Sequence, residues 1–263
     1  MNIPPADLES FFAELAEASG AAILPWFRVS ADIDNKAGSG DFDPVTEGDK
    51  AGERAIRALI QARFPDHAIR GEEYGRANAG AEHEWIIDPI DGTRGFICGL
   101  PTWGTLVGLT RGEDVIYGMM NQPHVGERFT GDGATAFVHG RDGRKPLKAR
   151  KGRALGDALL ATTSPSIITG AEGKAYQRLQ SRCRLARYGT DCYAYAMVAA
   201  GQIDLVCETG LQAYDIMPLI PIIEGAGGVV TTWNGGRAHE GGRILASGSA
   251  ELHQAALAVL NGG

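Results

Sequence analysis

Trp85-Ile86-Ile87-Asp88-Pro89-Ile90-Asp91-Gly92-Thr93 is an apolar run that ends in two carboxylates and a Gly-Thr turn. Trp85 to Ile87 suits a short buried strand, and an apolar strand that ends in carboxylates places them at a sheet edge open to ligands. Pro89 stiffens the connection between Asp88 and Asp91. Carboxylates held this close repel each other unless cations neutralise them. Oxygen ligands without Cys or His select Mg²⁺, Mn²⁺ or Ca²⁺ over Zn²⁺. A strand end with an Asx-type turn is the plainer account of Asp88 and Asp91, since Asp-Gly is a common turn dipeptide, but it does not explain two carboxylates with a rigid Pro-Ile insert. Gly92-Thr93 opens a helix or tight turn, and free amides at a helix start suit a phosphate.

Further acids flank this stretch. Gly71-Glu72-Glu73 lies upstream and reads as surface acids alone, but as ligands beside the aspartate pair. Asp49 stands three residues after Thr46, which fits a capping box as well as a water-orienting carboxylate. Downstream, Asp215 follows Tyr214 at a helix start with Pro218 in the first turn, where an N-cap role competes with a ligand role. Glu208 ends an apolar strand, the usual place for an α/β active site. Asp191, in Gly189-Thr190-Asp191-Cys192-Tyr193, either complements a helix dipole or faces the pocket toward a cationic group.

The rest of the chain supplies layers. Leu8, Phe11, Phe12 and Leu15 recur at helical spacing, a polar glycine-containing loop covers Ser30 to Asp43, and a second helix runs from near Thr46 to before Pro65 with Ala55, Ile56, Leu59 and Ile60 inward. Strands are expected at Gly104–Thr110 and Val115–Met120, joined as a hairpin, and at Arg128–Thr130 and Ala134–Val138 around Gly131-Asp132-Gly133. The basic, glycine-rich segment from Gly140 to Gly156 is the expected boundary between an N-terminal half, residues 1–145, and a C-terminal half, residues 146–263. In the second half, helices at Thr190–Ala200, Asp215–Gly225 and Ala250–Leu260 alternate with strands at Ile203–Cys207 and Val229–Thr232, which argues α/β layering.

With 263 residues and a net charge of −7, the chain is long enough for a large core and poorly suited to nucleic acid. No apolar stretch approaches a membrane span, and the N-terminus has no secretory pattern. The four cysteines, Cys98, Cys183, Cys192 and Cys207, form no CxxC pair and suit reduced thiols in a cytoplasmic protein. The histidines form no HxxxH pair, and neither GxSxG nor a Walker A sequence occurs.

Taken together, the motifs resemble the inositol monophosphatase family, in order and over nearly the whole chain. Asp43-Pro44-Val45-Thr46-Glu47-Gly48-Asp49, Gly71-Glu72-Glu73, the Trp85–Thr93 block and Tyr214-Asp215 with Glu224-Gly225-Ala226-Gly227-Gly228 carry the likeness. The resemblance implies an αβαβα sandwich, a homodimer and a lithium-sensitive, Mg²⁺-dependent phosphomonoesterase holding two or three ions per site, with Mn²⁺ as a substitute. It implies that Glu72, Asp88, Asp91, Asp215 and the Ile90 carbonyl hold the ions, that Asp49, Glu72 and Thr93 serve the attacking water, and that the Gly92 and Thr93 amides hold the phosphate. The second half is similar to the histidinol-phosphate phosphatase branch through Gly189–Tyr195 and Glu208-Thr209-Gly210-Leu211. Asp191 and Glu208 suit a cationic substrate, with Asp91, Gly92, Thr93 and Asp215 completing the substrate contacts. The expected activity is hydrolysis of L-histidinol phosphate, a step of histidine biosynthesis. The alternative is an inositol-1-phosphate or broad sugar-phosphate phosphatase, and a catalytically silent scaffold fits the full acid set poorly. One departure is Arg94-Gly95 after Asp91-Gly92-Thr93, where the family usually has Asn or Ser in place of the glycine.

Overall fold

The computed structural model describes residues 5–29, 34–35 and 44–262. Most of the expected loop from Ser30 to Asp43 lies outside the described residues. In chain order, the first half contains α1 (Pro5–Ile23), β1 (Asp34–Asn35), β2 (Pro44–Val45), α2 (Glu47–Arg63), β3 (Ala68–Gly71), β4 (Gly75–Ala77), β5 (His83–Asp91), α3 (Thr93–Ile97), β6 (Gly104–Arg111), β7 (Asp114–Gln122), β8 (Glu127–Gly131), β9 (Ala136–Gly140) and β10 (Gly143–Pro146). The second contains β11 (Leu159–Thr162), α4 (Gly170–Arg182), β12 (Leu185–Tyr188), α5 (Asp191–Ala199), β13 (Leu205–Leu211), α6 (Ala213–Ile216), α7 (Ile220–Gly225), β14 (Val229–Thr232), β15 (Gly242–Ser247) and α8 (Ala250–Leu260).

Two sheets organise these elements. The larger has the order β10-β9-β8-β7-β6-β5-β3-β4, and the smaller β12-β11-β13-β15-β14. Period-two alternation sends the residues of each strand to opposite layers. Trp85, Ile87, Val107 and Met119 pack under α1 and α2 with Phe11, Phe12, Leu15, Ile56 and Ile60. Leu106 and Met120 face the other way, into a central core shared with α5, α7, Val206, Ile244 and Ala246. On the far face of the smaller sheet, Leu205, Cys207 and Leu245 pack against Tyr176 and Leu179 of α4 and Leu252 and Leu260 of α8. The result is the αβαβα sandwich.

Local rules explain most departures from the sequence expectations. The expected helix from Asp215 to Gly225 is broken into α6, a 3-10 turn at Met217–Leu219 and α7. Pro218 and Pro221 lack the amide hydrogens a continuous helix needs, so each begins a new segment. This broken segment lies directly on the larger sheet: a Cβ at Gly118 of β7 would collide with the Pro218 carbonyl. The Gly143–Pro146 part of the expected boundary segment pairs with β9 as an edge strand. Several elements had no counterpart in the sequence reading: the two-residue strands β1 and β2, then β3, β4, β11, α4, β12 and β15.

Candidate active site

β5 delivers the two central aspartates. In a regular strand, residues three apart point to opposite faces. Here the pairing of β5 with β6 shifts between Asp88 and Asp91: Asp88 faces Leu106, whereas Asp91 faces Gly104. Three steps on β5 therefore match two on β6, a bulge that turns both carboxylates to one side. The Ile90 amide donates to Asp88 Oδ1 at 3.0 Å, so the Asx turn is present as well. Asp88, Asp91 and Asp215 each offer an oxygen, and these oxygens lie within 4.8 Å of one another. Asp88 is 2% exposed. Burial, then Glu72, Asp91 and Asp215, push its pKa well above the ordinary carboxylate value. Burial, Asp215 and Asp191 do the same to Asp91, opposed by hydrogen bonds from Cys192. The Cys192 amide donates to Asp91 Oδ2 at 2.6 Å. Burial first, and then Asp91, hold the Cys192 thiol far above its usual range, so it stays neutral. A cluster of convergent carboxylates that would otherwise have to take up protons fits a hard divalent cation.

Two helix starts supply Asp49 and Asp215. The Thr46 amide and hydroxyl donate to Asp49 Oδ2 at 2.7 and 2.6 Å, while the Gly48 amide donates to Thr46 Oγ1 at 3.1 Å. Asp49 Oδ1 stands 3.5 Å from Thr93 Oγ1, whose hydroxyl also lies 3.0 Å from the Ile90 carbonyl oxygen. One oxygen of Asp49 thus serves the cap, while the other faces Thr93. Asp215 repeats the device at α6, where Oδ2 accepts the Gln212 amide at 2.7 Å.

A cavity of about 240 Å³ opens above this floor, lined among others by Asp91, Gly92, Thr93, Asp191, Glu208 and Asp215. Gly92 has φ +87°, and a Cβ there would stand 3.0 Å from Asp191 Cβ. Asp191 itself has φ +41°, left-handed backbone that Asp tolerates better than most residues. Burial raises the Asp191 pKa, with Thr163 and Arg94 opposing. Glu208 is buried, and burial lifts its pKa to about 7 against hydrogen bonds from Thr163 and Thr162. The Thr163 amide donates to Glu208 Oε1 at 2.6 Å, its hydroxyl lies 3.1 Å from the same oxygen, and Thr162 Oγ1 lies 3.1 Å from Oε2.

The structure therefore places Asp91, Gly92, Thr93, Asp191, Glu208 and Asp215 around one cavity, with Asp88 beside Asp91 and Asp215, and Asp49 near Thr93. Glu72 is held beside Asp88 by its amide, which donates to the Ile87 carbonyl at 3.1 Å. Glu73 does not join the floor through its amide, which turns to Glu53. Thr162, Thr163 and Glu53 are additional polar groups that sequence reasoning did not single out. An apolar strand ending in hydroxyls, Leu159-Leu160-Ala161-Thr162-Thr163, is the signal that could have found the first two.

Comparison with known proteins agrees with this geometry. A sequence profile of the inositol monophosphatase family matches residues 5–262, and the chain belongs to that family. A chloroplastic bifunctional phosphatase of Arabidopsis thaliana is 40% identical, over 97% of this chain and 76% of its own length. A histidinol-phosphatase of Chlorobaculum parvum is 31% identical over 95% of each chain. The solved structure of an inositol monophosphatase from Zymomonas mobilis superposes with a TM-score of 0.87 at 34% identity, over 99% of this chain and 100% of that one. The protein is thus a phosphatase of a metal-dependent family that acts on phosphate monoesters. Among the described residues no helix is long and apolar enough to cross a membrane.

Proposed function

We propose that the protein hydrolyses L-histidinol phosphate with Mg²⁺, as a cytoplasmic homodimer. The observation that carries this reading is the pair of carboxylates, Asp191 and Glu208, on the cavity wall beyond the cation-binding floor. Histidinol phosphate has an α-ammonium and an imidazole, and two acids, Glu208 buried and Asp191 partly buried, suit such a group better than a neutral polyol. Relatives carrying the histidinol-phosphatase name lend support. Glu72, Asp88, Asp91, Asp215 and the Ile90 carbonyl would hold the Mg²⁺ ions. Bound there, they supply charge neutralisation and Lewis-acid polarisation of phosphoryl and leaving oxygens. Asp49 and Thr93 would orient the attacking water, and the Asp49 carboxylate would take up its proton. The Gly92 and Thr93 amides hold the phosphate oxygens, and Asp191 and Glu208 fix the cationic end.

Phosphate release from L-histidinol phosphate and inositol 1-phosphate, compared in wild type and Asp191→Asn, tests the assignment. Asn keeps the shape and the left-handed backbone while removing the charge. The expected result is a preference for histidinol phosphate that falls by about tenfold or more in the variant, the scale of one lost charge-assisted contact. An unchanged preference would remove the physical basis of the substrate assignment. An inositol-phosphate substrate is the second reading, favoured by the Zymomonas mobilis structure and by the ease with which Glu208 stays neutral.

Glu208 also predicts a pH dependence. Its folded pKa is raised to about 7, so its ionised form is penalised in the free protein. A cationic substrate favours that ionised form. KM for histidinol phosphate is therefore expected to fall as pH rises through about 7, and Glu208→Gln to flatten that profile. In folding the sign is opposite. The stability associated with neutral Glu208 is full below the ordinary carboxylate pKa and is lost as pH rises toward about 7. A KM profile identical in wild type and Glu208→Gln would exclude Glu208 from substrate binding.

A further inference from the structure

We propose that Glu53 is a positioning residue for the cation site: its buried carboxylate ties α2 to the turn that carries Glu72. The proposal rests on the reading of Glu72 as a cation ligand. Glu53 is 0% exposed. A carboxylate so buried is costly unless its oxygens are satisfied. Two of its donors are backbone amides of the Glu72 turn: Glu73 N to Oε2 at 2.7 Å and Tyr74 N to Oε1 at 3.2 Å. The third is Arg57 Nε, at 2.7 Å from Oε1. Arg57 also donates to the Gly75 carbonyl, and Arg54 Nη1 stands 2.6 Å from the Tyr74 hydroxyl. One turn of α2 thus grips three successive residues, Glu73, Tyr74 and Gly75.

Glu72 has no slack on either side of this grip. Its own amide is bonded to the Ile87 carbonyl of β5, at 3.1 Å. Before it, Gly71 packs so tightly on Glu53 that a Cβ would overlap the carboxylate. Asp49 lies four residues before Glu53, on the same helix face. A single rigid helix therefore fixes the acid that contacts Thr93 and the turn that presents Glu72. An ion pair alone would not need this arrangement, since apolar groups often replace a buried pair without loss. Loop amides converging on the carboxylate are what an apolar replacement cannot satisfy.

The test measures Mn²⁺ affinity of the full chain by calorimetry without substrate, beside melting temperature in EDTA. Glu53→Gln keeps the volume but turns an amide group toward amide donors. It is expected to weaken Mn²⁺ binding by about tenfold or more, the usual scale for groups that orient a ligand. Asp204→Asn is the control: Asp204 is equally buried but accepts the Leu159 amide at 2.9 Å in the smaller sheet. It is expected to lower the melting temperature and leave Mn²⁺ affinity unchanged. Wild-type affinity in Glu53→Gln, whatever its melting temperature, overturns the proposal. Glu72→Gln separates the two readings: if it too binds Mn²⁺ normally, the ligand role of Glu72 fails and the proposal with it. Should Glu53→Gln not fold, Gly71→Ala displaces the same carboxylate while keeping its charge, and its Mn²⁺ affinity decides in the same way.

Discussion

Asp88→Asn is expected to lower kcat by about a thousandfold or more, some 4 kcal/mol of lost transition-state stabilisation, while the fold in EDTA becomes no less stable. The two halves of this prediction have one cause. Asp88 is 2% exposed and lies among Glu72, Asp91 and Asp215, so its charge is unfavourable until a cation arrives. Asn fills the same space, still accepts the Ile90 amide through its carbonyl oxygen, and carries no charge to repel its neighbours. Activity and thermal melting in EDTA, measured on one preparation, check both parts. Retained turnover would remove Asp88 from the proposed ligand set. A large drop in melting temperature would mean that the carboxylate serves the fold rather than the cation.

Cation removal has the second large effect. In EDTA, hydrolysis is expected to stop, and stability at neutral pH to fall. A ligand present at a hundred times its Kd adds about 2.7 kcal/mol to the folded state. The sign with pH follows from Asp88 and Asp91, whose folded pKa values are raised well above the ordinary one. Their contribution is full below the unfolded carboxylate pKa of about 4 and is lost as pH rises through the raised values. A bound cation removes that loss by favouring the ionised forms. Melting temperatures in EDTA and in Mg²⁺ are therefore expected to diverge as pH rises from about 4 toward neutrality. Parallel curves would show that no cation relieves these carboxylates.

The candidate site residues were legible because their types are unusual for their places. Two aspartates after Trp85-Ile86-Ile87 and a Glu at the end of an apolar strand stand out against a strand composition. How they converge was not legible. The bulge between Asp88 and Asp91 depends on pairing with β6, a partner that no local pattern specifies. Glu53 was invisible for another reason: in α2, among Lys50, Arg54 and Arg57, it reads as one more solvated charge. Only the fold of the Glu72 turn back onto α2 buries it. The stretch holding β11, α4 and β12 was not read as structure, and Thr163 was missed with it. The division of the α6–α7 segment was written in Pro218 and Pro221, but the surrounding apolar run disguised it.

Asp49 and Asp215 differ from Asp88 in a way that reaches beyond a single assay. Each occupies the third position of a helix and accepts the amide of the residue that starts it. Such a bond satisfies an amide at the helix start and supports the fold, apart from any role in hydrolysis. Selection for a folded chain alone would therefore tend to preserve these two acids in a lineage that no longer needed the reaction. Asp88, whose charge strains the free protein, would be among the first to drift. Whether that aspartate survives in a descendant tells more about retained chemistry than the survival of either capping acid.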